Sequence, residues 1–264
     1  MVDLSIIIPS YNTKELLKKC LESVFSDHRF EIEVIVVDNN SQDGSPQMVK
    51  KEFPEVILIE NKDNLGFAKA ANQGLKRATG EYLFLLNSDT VLEKNTLEKL
   101  LEYGKTIPPA IVGPRLLNPD GTIQPSVFML PTVKRAIAEY WFGKKGYFSK
   151  YTPSGDVAVE VESVVGGAMF FPQEVVEKIG YLDERYFMYF EDLDYCRRAK
   201  KFGLKVYYFP GAEVFHEHGA SGKSLARGED QWKRLIPSSK IYHGVLKYHL
   251  VSFIIKLGQR FGKR

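Results

Sequence analysis

Short apolar runs alternate with stretches in which apolar residues recur every third or fourth position, a pattern that predicts strand–helix–strand units. Leu4–Ile8 is an almost unbroken apolar run, the mark of a strand buried on both faces. Asn12 then stands as a helix cap, with Glu15 at the third helical position to complete a capping box. Leu16, Leu17, Leu21, Val24 and Phe25 put one apolar stripe on that helix. A second strand is predicted over Ile32–Val37 and a second helix starts at Ser45-Pro46, proline suiting the first helical position. Val56–Ile59 reads as a strand, Gly66–Ala78 as a helix ended near Gly80, and Tyr82–Leu86 as a fourth strand. Connections this short imply right-handed crossovers and a parallel sheet.

The second half has a different texture. Asn118-Pro119-Asp120-Gly121 predicts a tight turn. Lys134, Arg135, Lys144, Lys145 and Lys150 interleave with Tyr140, Trp141, Phe142, Tyr147 and Phe148. Val157–Val165 reads as a strand running into Gly166-Gly167, where backbone can approach a ligand closely. An acidic helix is predicted over 191–202, then a strand over Lys205–Phe209, a loop holding His216-Glu217-His218-Gly219, and a helical tail after Glu229.

With 264 residues, 44% of them hydrophobic, the chain can build one large domain with a full core. Its net charge of +3 hides an asymmetry: residues 221–264 carry ten Lys/Arg against Glu229 and Asp230, so the tail is net +8 and the remainder net −5. Such a tail suits an anionic partner, either membrane or nucleic acid. Cys20 and Cys196 fall in helical patterns among apolar neighbours and predict buried, reduced thiols. Met1-Val2-Asp3-Leu4 leads straight into a strand without a charged-then-apolar leader, and Val245–Leu257 is interrupted by Lys247, His249 and Lys256. The expectation is a cytoplasmic protein.

In an open α/β sheet, ligands bind beyond the carboxyl ends of the strands. Here those ends read Pro9-Ser10-Tyr11-Asn12, Asp38-Asn39-Asn40-Ser41, Asn61-Lys62-Asp63-Asn64 and Asn87-Ser88-Asp89, all polar. Asp38 is placed to accept hydrogen bonds from a base or ribose. Asn64 and Lys69 flank the start of the third helix, where an ammonium suits a diphosphate and Gly66 permits close approach. Asp89 is a lone carboxylate after an apolar strand, fit for a divalent cation shared with phosphate oxygens. Glu191, Asp192 and Asp194 exceed what a helix cap requires, and one of them can serve as a proton acceptor. His216 is a candidate imidazole ligand. The chain lacks G-x-x-x-x-G-K-[ST], G-x-G-x-x-G after the first strand, and G-x-S-x-G, which excludes the usual ATPase, dehydrogenase and α/β-hydrolase motifs.

Ser5-Ile6-Ile7-Ile8-Pro9-Ser10-Tyr11-Asn12, Val37-Asp38-Asn39-Asn40-Ser41, Asp43-Gly44-Ser45, Asn64-Leu65-Gly66-Phe67-Ala68, Asn72-Gln73-Gly74, Leu86-Asn87-Ser88-Asp89-Thr90, Tyr189-Phe190-Glu191-Asp192-Leu193-Asp194-Tyr195-Cys196, and His216 with Gly219 and Ser221 together resemble the family 2 glycosyltransferases. The likeness is nearest to the rhamnosyltransferase-like branch. It implies an α/β GT-A fold, with a mostly parallel Rossmann-like central sheet flanked by helices and a C-terminal helical tail. Residues 1–221 would form the catalytic domain, 1–105 its nucleotide-sugar half and 106–221 its acceptor half, with 222–264 as the basic amphipathic tail.

By the same resemblance the reaction is an inverting, single-sugar transfer from a nucleotide diphosphate sugar, dTDP-rhamnose in this branch. The acceptor is a cell-surface polysaccharide or a lipid-linked saccharide. Pro9, Tyr11, Asn12, Asp38, Asn40, Asn64, Lys69, Asn87 and Ser88 would face the donor, and Asp89 and His216 would hold Mn2+ or Mg2+. Asp192 would be the general base, with Gly167, Glu191 and Asp194 on the acceptor side. Asn87 stands where the family's D-x-D motif has its first aspartate, so cation binding rests more on Asp89. The Q-x-x-R-W motif of processive synthases is absent, since residues 231–234 read Gln-Trp-Lys-Arg.

No nucleic-acid partner is then expected. The tail suits the inner face of an anionic membrane, packing on the catalytic domain, or a homodimer interface. The aromatic-basic stretch 134–150 would wall the acceptor cleft or reinforce membrane contact. A sugar-nucleotide pyrophosphorylase would want a Gly-rich loop with Arg and Lys after the first strand, which Pro9–Thr13 does not supply. An inactive nucleotide- or carbohydrate-binding module is the non-enzymatic alternative.

Overall fold

The structure is a computed structural model that describes residues 2–26, 30–217 and 231–262. Strands β1 (Leu4–Ser10), β2 (Ile32–Asp38), β3 (Ile57–Glu60) and β4 (Tyr82–Leu86) lie parallel in the order β3-β2-β1-β4. Their crossovers are α1 (Lys14–Ser26), α2 (Ser45–Glu52) and α3 (Phe67–Arg77). Side chains alternate across β1. Ile6 and Ile8 enter one core with Leu17, Cys20 and Leu21 of α1, while Ile7 enters the other with Ala71 and Leu75 of α3. Covering both faces is what demands a continuous apolar run.

The remaining strands are β5 (Thr90–Leu92), β6 (Ala110–Leu117), β7 (Ile123–Gln124), β8 (Val127–Phe128), β9 (Val159–Val161), β10 (Ser163–Val164), β11 (Ala168–Pro172) and β12 (Lys205–His216). The sheet continues β4-β11-β6-β12-β5, with β11 antiparallel to both neighbours. Strand β12 runs parallel to β6 and antiparallel to β5. The parallel expectation therefore holds for the first half, and the second half is mixed. Helices α4 (Thr96–Thr106), α5 (Val133–Phe142), α6 (Gln173–Ile179) and α7 (Glu191–Lys201) cover it, and α8 (Gln231–His243) and α9 (Val245–Phe261) follow. Cys20 and Cys196 are buried free thiols, pushed up to about 12 by desolvation, as their apolar settings predict.

Several local expectations need correction. Asn12 does not cap α1. It adopts φ 51°, and its Oδ1 accepts the Gln42 amide at 2.7 Å. The open α1 terminus is met across the loop by Asp43 Oδ2, which accepts the Lys14 amide at 2.8 Å, leaving Glu15 exposed. The span 157–165 is two strands in two sheets, because β9 pairs with β12 while β10 pairs with β8. Glu162 stands at the switch, its carboxylate held by both Arg135 nitrogens at 2.6 Å and by the Leu130 amide at 2.8 Å. Strand β12 runs seven residues beyond Phe209, with a register shift between Phe209 and Glu213, so His216 ends a strand rather than sitting in a loop. His218 and Gly219 of that expected loop lie outside the described residues.

The tail is two helices broken at Gly244, whose φ is 76°. Helix α9 packs on α5, where the Trp141 indole N–H donates to the Ile254 carbonyl at 3.1 Å. Helix α8 is tied to the catalytic body by Ser238 Oγ donating to Met188 O at 2.7 Å and by Arg197 donating to Tyr242 O at 3.1 Å. Among the described residues no helix is long and apolar enough to cross a membrane. Val245, Leu246, Leu250, Phe253 and Phe261 nonetheless stay exposed.

The α8–α9 junction carries a pH-sensitive group. Burial, with Arg197 and Lys247 nearby, pushes His243 from 6.5 down to about 4. The unfolded chain therefore takes up a proton first, so stability present above pH 6.5 is lost as pH falls toward 4. Thermal melts should show a loss of about 1–2 kcal/mol across that window, discounted for partial exposure. His243→Leu should flatten the dependence.

Candidate active site

A cleft of about 680 Å3 opens where β1 and β4 end, bounded on its far side by the start of α7. A second hollow of about 420 Å3, around Tyr82, Gly104, Pro172 and Glu177, lies at the other end of β4 and holds none of the residues with predicted chemistry.

On the sheet side, Pro9, Tyr11, Asn64 and Asn87 line the cleft as the strand ends predict. Asp38 lies buried behind them: its Oδ2 accepts the Ser41 amide at 2.8 Å, and its Oδ1 has no hydrogen-bond partner. Desolvation raises its proton affinity, so a donor ligand at Oδ1 would relieve a real cost. Asn39, Asn61 and Gln73 interlock at 2.8–2.9 Å, and Asn39 also donates to Gly66 O. Gly66, with φ 85°, is required because a Cβ would meet Phe187 O at 2.5 Å.

Besides Asp38, four predicted donor contacts do not reach the cleft lining. Lys69 is turned to solvent on α3. Ser88 is buried in a hydroxyl chain with Thr13 at 2.9 Å, which continues to Ser10 at 3.1 Å and joins the ends of β4 and β1. Asn12 is spent on the 41–43 loop, and Asn40 is exposed with its oxygens accepting from Gln42.

The pairing of β12 with β5 sets His216 opposite Thr90, and so brings His216 to Asp89. Asp89 Oδ1 and His216 Nε2 stand 3.4 Å apart, both almost wholly buried and both lining the cleft. Asn87 Nδ2 is 3.4 Å from the same nitrogen, and His216 Nδ1 is 2.8 Å from Gln124 Oε1. A Cβ on Gly167 would lie 3.4 Å from Nε2, so glycine keeps this face open. No cluster of three or more His, Cys, Asp or Glu forms among the described residues. A carboxylate and an imidazole nevertheless fit a cation that takes its other ligands from phosphate oxygens and water.

Helix α7 forms the opposing wall. Tyr189 and Phe190 precede it at φ 68° and 67°, costing about 1–3 kcal/mol each, a strain that the surrounding packing must hold. Asp192 Oδ2 accepts the Gly166 amide at 3.0 Å and its Oδ1 accepts the Leu193 amide at 2.7 Å. Burial raises Asp192, while those amides and the Lys150 ammonium oppose the rise. Glu191 has only its own backbone amide to oppose the rise. Its Oε2 is buried and unpartnered, and desolvation beside the Asp192 carboxylate pushes it well above the carboxylate range. Of the adjacent pair, Glu191 is pushed the further toward its neutral form, because the Gly166 and Leu193 amides and Lys150 favour the charged form of Asp192. Asp194, expected on the acceptor side, points instead into ion pairs with Arg197 at 2.5 Å and Arg198 at 3.0 Å. Helical geometry puts Asp194 on another face from Asp192.

In the sequence, Lys150 belongs to the aromatic-basic stretch 134–150, expected to wall the acceptor cleft or reinforce membrane contact. It lines the cleft beside Asp192, with its ammonium 5.8 Å from the Phe128 ring centroid. Phe128 and the apolar wall of Leu235, Ile236, Tyr248, Val251 and Ile255 also line the cleft, outside the residues expected from the sequence. Only their amphipathic spacing hinted at a buried face.

The sequence model of Glycosyl transferase family 2 matches residues 5–178. The chain belongs to glycosyltransferase family 2. This family 2 glycosyltransferase is 26% identical over 236 residues to the N-acetylglucosaminyl-diphospho-decaprenol L-rhamnosyltransferase of Mycobacterium tuberculosis (strain ATCC 25618 / H37Rv), covering 83% of this chain and 77% of that protein. It is also 26% identical to the low-salt glycan biosynthesis hexosyltransferase Agl10 of Haloferax volcanii, over 77% of this chain and 64% of that one. The fold matches GalNAc-T7, solved with UDP, GalNAc and Mn2+, at TM-score 0.62 and 16% identity, over 82% of this chain but 44% of that structure. It matches the mannosyltransferase PcManGT of Pyrobaculum calidifontis, solved with GDP-Man and Mn2+, at TM-score 0.58 and 19% identity, over 99% of this chain and 65% of the other. The GT-A expectation is met. As a family 2 glycosyltransferase the chain moves a sugar from a nucleotide sugar to a glycan or lipid-linked acceptor, and the pyrophosphorylase and non-enzymatic alternatives fall away.

The Glu191–Asp192 pair has a measurable signature. A raised folded-state value at Glu191 gives stability below the ordinary carboxyl range that is lost as pH rises through the raised value. Glu191→Gln removes that loss. Its stability should lie within about 0.5 kcal/mol of the parent in acid and overtake it as pH rises above the ordinary carboxyl range, read by thermal melts.

Proposed function

We propose that this glycosyltransferase inverts the anomeric centre in a single displacement, with Asp192 as general base and with Mn2+ or Mg2+ held by Asp89 and His216. The observation that supports the reading is that Asp192, from the start of α7, and Asp89 and His216, from the ends of β4 and β12, line one cleft. Inversion requires attack from the face opposite the leaving group, so base and diphosphate must come from different elements. Asp192 takes the proton of an acceptor hydroxyl, whose oxygen forms the new bond to the anomeric carbon as the bond to the nucleotide diphosphate breaks. The Gly166 and Leu193 amides orient that carboxylate and favour its charged form, and Lys150 adds a nearby positive charge. A bound divalent cation supplies charge stabilisation for the departing diphosphate. Asp38 Oδ1 accepts from the nucleoside.

The donor sugar is rhamnose, on a thymidine carrier, and the acceptor is a lipid-linked saccharide. The name of the mycobacterial relative supports both sugar and lipid, and the apolar wall from α8 and α9 supports the lipid. Exposed Leu246, Leu250 and Phe253, flanked by Lys247 and Lys256, suit an anionic bilayer at the inner face of the cell membrane.

Asp192→Asn should lower kcat by about 10^2–10^4 while nucleotide affinity stays within a few-fold, and unchanged turnover would remove Asp192 from the role of base. In the same calorimetric series, Asp89→Ala should weaken nucleotide binding in the presence of Mn2+ and leave it unaltered in chelator. Replacing Leu246, Leu250 and Phe253 together by Ser should reduce sedimentation with vesicles containing anionic lipid. Undiminished sedimentation would end the membrane reading.

A further inference from the structure

Gln124 is a buried amide on β7, outside every motif that marks the family resemblance. Its Nε2 donates to the His216 carbonyl at 3.2 Å and to Asn118 Oδ1 at 2.9 Å, and its Oε1 lies 2.8 Å from His216 Nδ1. A main-chain carbonyl can only accept, so the amide must turn its nitrogen toward it and its oxygen toward the imidazole. An amide oxygen can only accept in its turn, so His216 Nδ1 carries the proton.

The same polarity is imposed independently from the other end. Asp120, at the exposed tip of the Asn118–Gly121 turn, accepts the Thr122 hydroxyl at 2.6 Å and the Thr122 amide at 3.0 Å. Those bonds hold its carboxyl below the ordinary range, as an acceptor only. Thr122 Oγ1, having given its proton away, accepts from Asn118 Nδ2 at 2.9 Å. That fixes the Asn118 oxygen toward Gln124. Two acceptor-only groups, a carbonyl and a carboxylate, thus orient every dipole between the surface and the imidazole.

We infer that the 118–124 hairpin is a tautomer lock, in which Gln124 is the positioning residue that holds His216 as the Nδ1–H form with the Nε2 lone pair turned toward Asp89, Asn87 and the cleft. The opposite tautomer would present an N–H to the Asp89 carboxylate 3.4 Å away and spend both groups on each other. The locked form instead presents an imidazole lone pair and a carboxylate side by side. Outer partners that set a ligand's tautomer typically change metal affinity by about 10–100-fold when removed. The functional consequence rests on the proposed cation role of Asp89 and His216, whereas the lock itself does not.

Long-range proton–nitrogen NMR of the 15N-labelled protein reads the tautomer without any metal. The wild type should show a protonated Nδ1 at His216, and Gln124→Met should shift the ring toward the Nε2–H form. Mn2+ titrated into each protein by electron paramagnetic resonance should bind about 10–100-fold more weakly to Gln124→Met. Thr122→Val, at an exposed position, removes the outer constraint with little risk to folding, and should move the tautomer in the same direction but by less, because the His216 carbonyl still orients Gln124, while Thr122→Ser restores it. That pair decides the matter if Gln124→Met does not fold. A proton on Nε2 in the wild type, or an unmoved tautomer in the folded variants, overturns the lock. A tautomer that responds in a protein that binds no Mn2+ upholds the lock and overturns the cation role instead.

Discussion

The antiparallel insertion of β11 beside β4 is the constraint on which the rest of the site depends. It brings Gly166-Gly167 across the end of β4, where the Asn87 amide donates to Gly167 O at 2.9 Å. One residue earlier, the Gly166 amide donates to Asp192. Two adjacent glycines thus touch the sheet side with one peptide group and α7 with the next, and they fix the width of the cleft. A side chain at Gly167 would crowd His216, and one at Gly166 would approach Asp192 Cβ at 3.4 Å. The glycines therefore serve close approach rather than an unusual backbone angle.

Around that crossing, two charged centres are treated in opposite ways. Asp89 and His216 are buried side by side, with Asn87 and Gln124 set against the two imidazole nitrogens. Asp192 is half-buried next to another acid, and only one of the two can stay ionised at moderate cost. The amides of Gly166 and Leu193 and the ammonium of Lys150 favour charge on Asp192, and Glu191 is pushed toward its neutral form. The left-handed Tyr189 and Phe190 that aim α7 at the cleft add strain at the same place. Strain and buried charge concentrate where chemistry is proposed, and the two core clusters beneath supply the compensating stability.

The tail helices extend the same logic outward. Helix α9 is seated on α5 through Trp141 and through Gly258, where a Cβ would come within 2.8 Å of Tyr140 O. Its inner face closes the cleft with Tyr248, Val251 and Ile255, while its outer face leaves Leu246 and Phe253 in solvent. One amphipathic helix therefore joins the acceptor wall to an exposed apolar surface. Burial of His243 at the α8–α9 junction makes this seating sensitive to acid.

What the sequence determined by itself was set by local periodicity and by residue chemistry at strand ends. The parallel half of the sheet, the buried thiols, the turn at Asn118–Gly121 and the polar ends at Pro9, Asn64 and Asn87 all follow from these, because each depends on neighbours within a few residues. Tertiary structure decided the remainder. Whether Asp194 joins Asp192 depends on helical phase and on Arg197 and Arg198, which take it away. Whether His216 meets Asp89 depends on the register of β12 against β5, across 127 residues of chain. Lys69 and Lys150 invert their expected importance, since burial, invisible in composition, is what makes a charge consequential. Gln124 had no signal at all, because a neutral amide acquires direction only from the groups that fix its two ends.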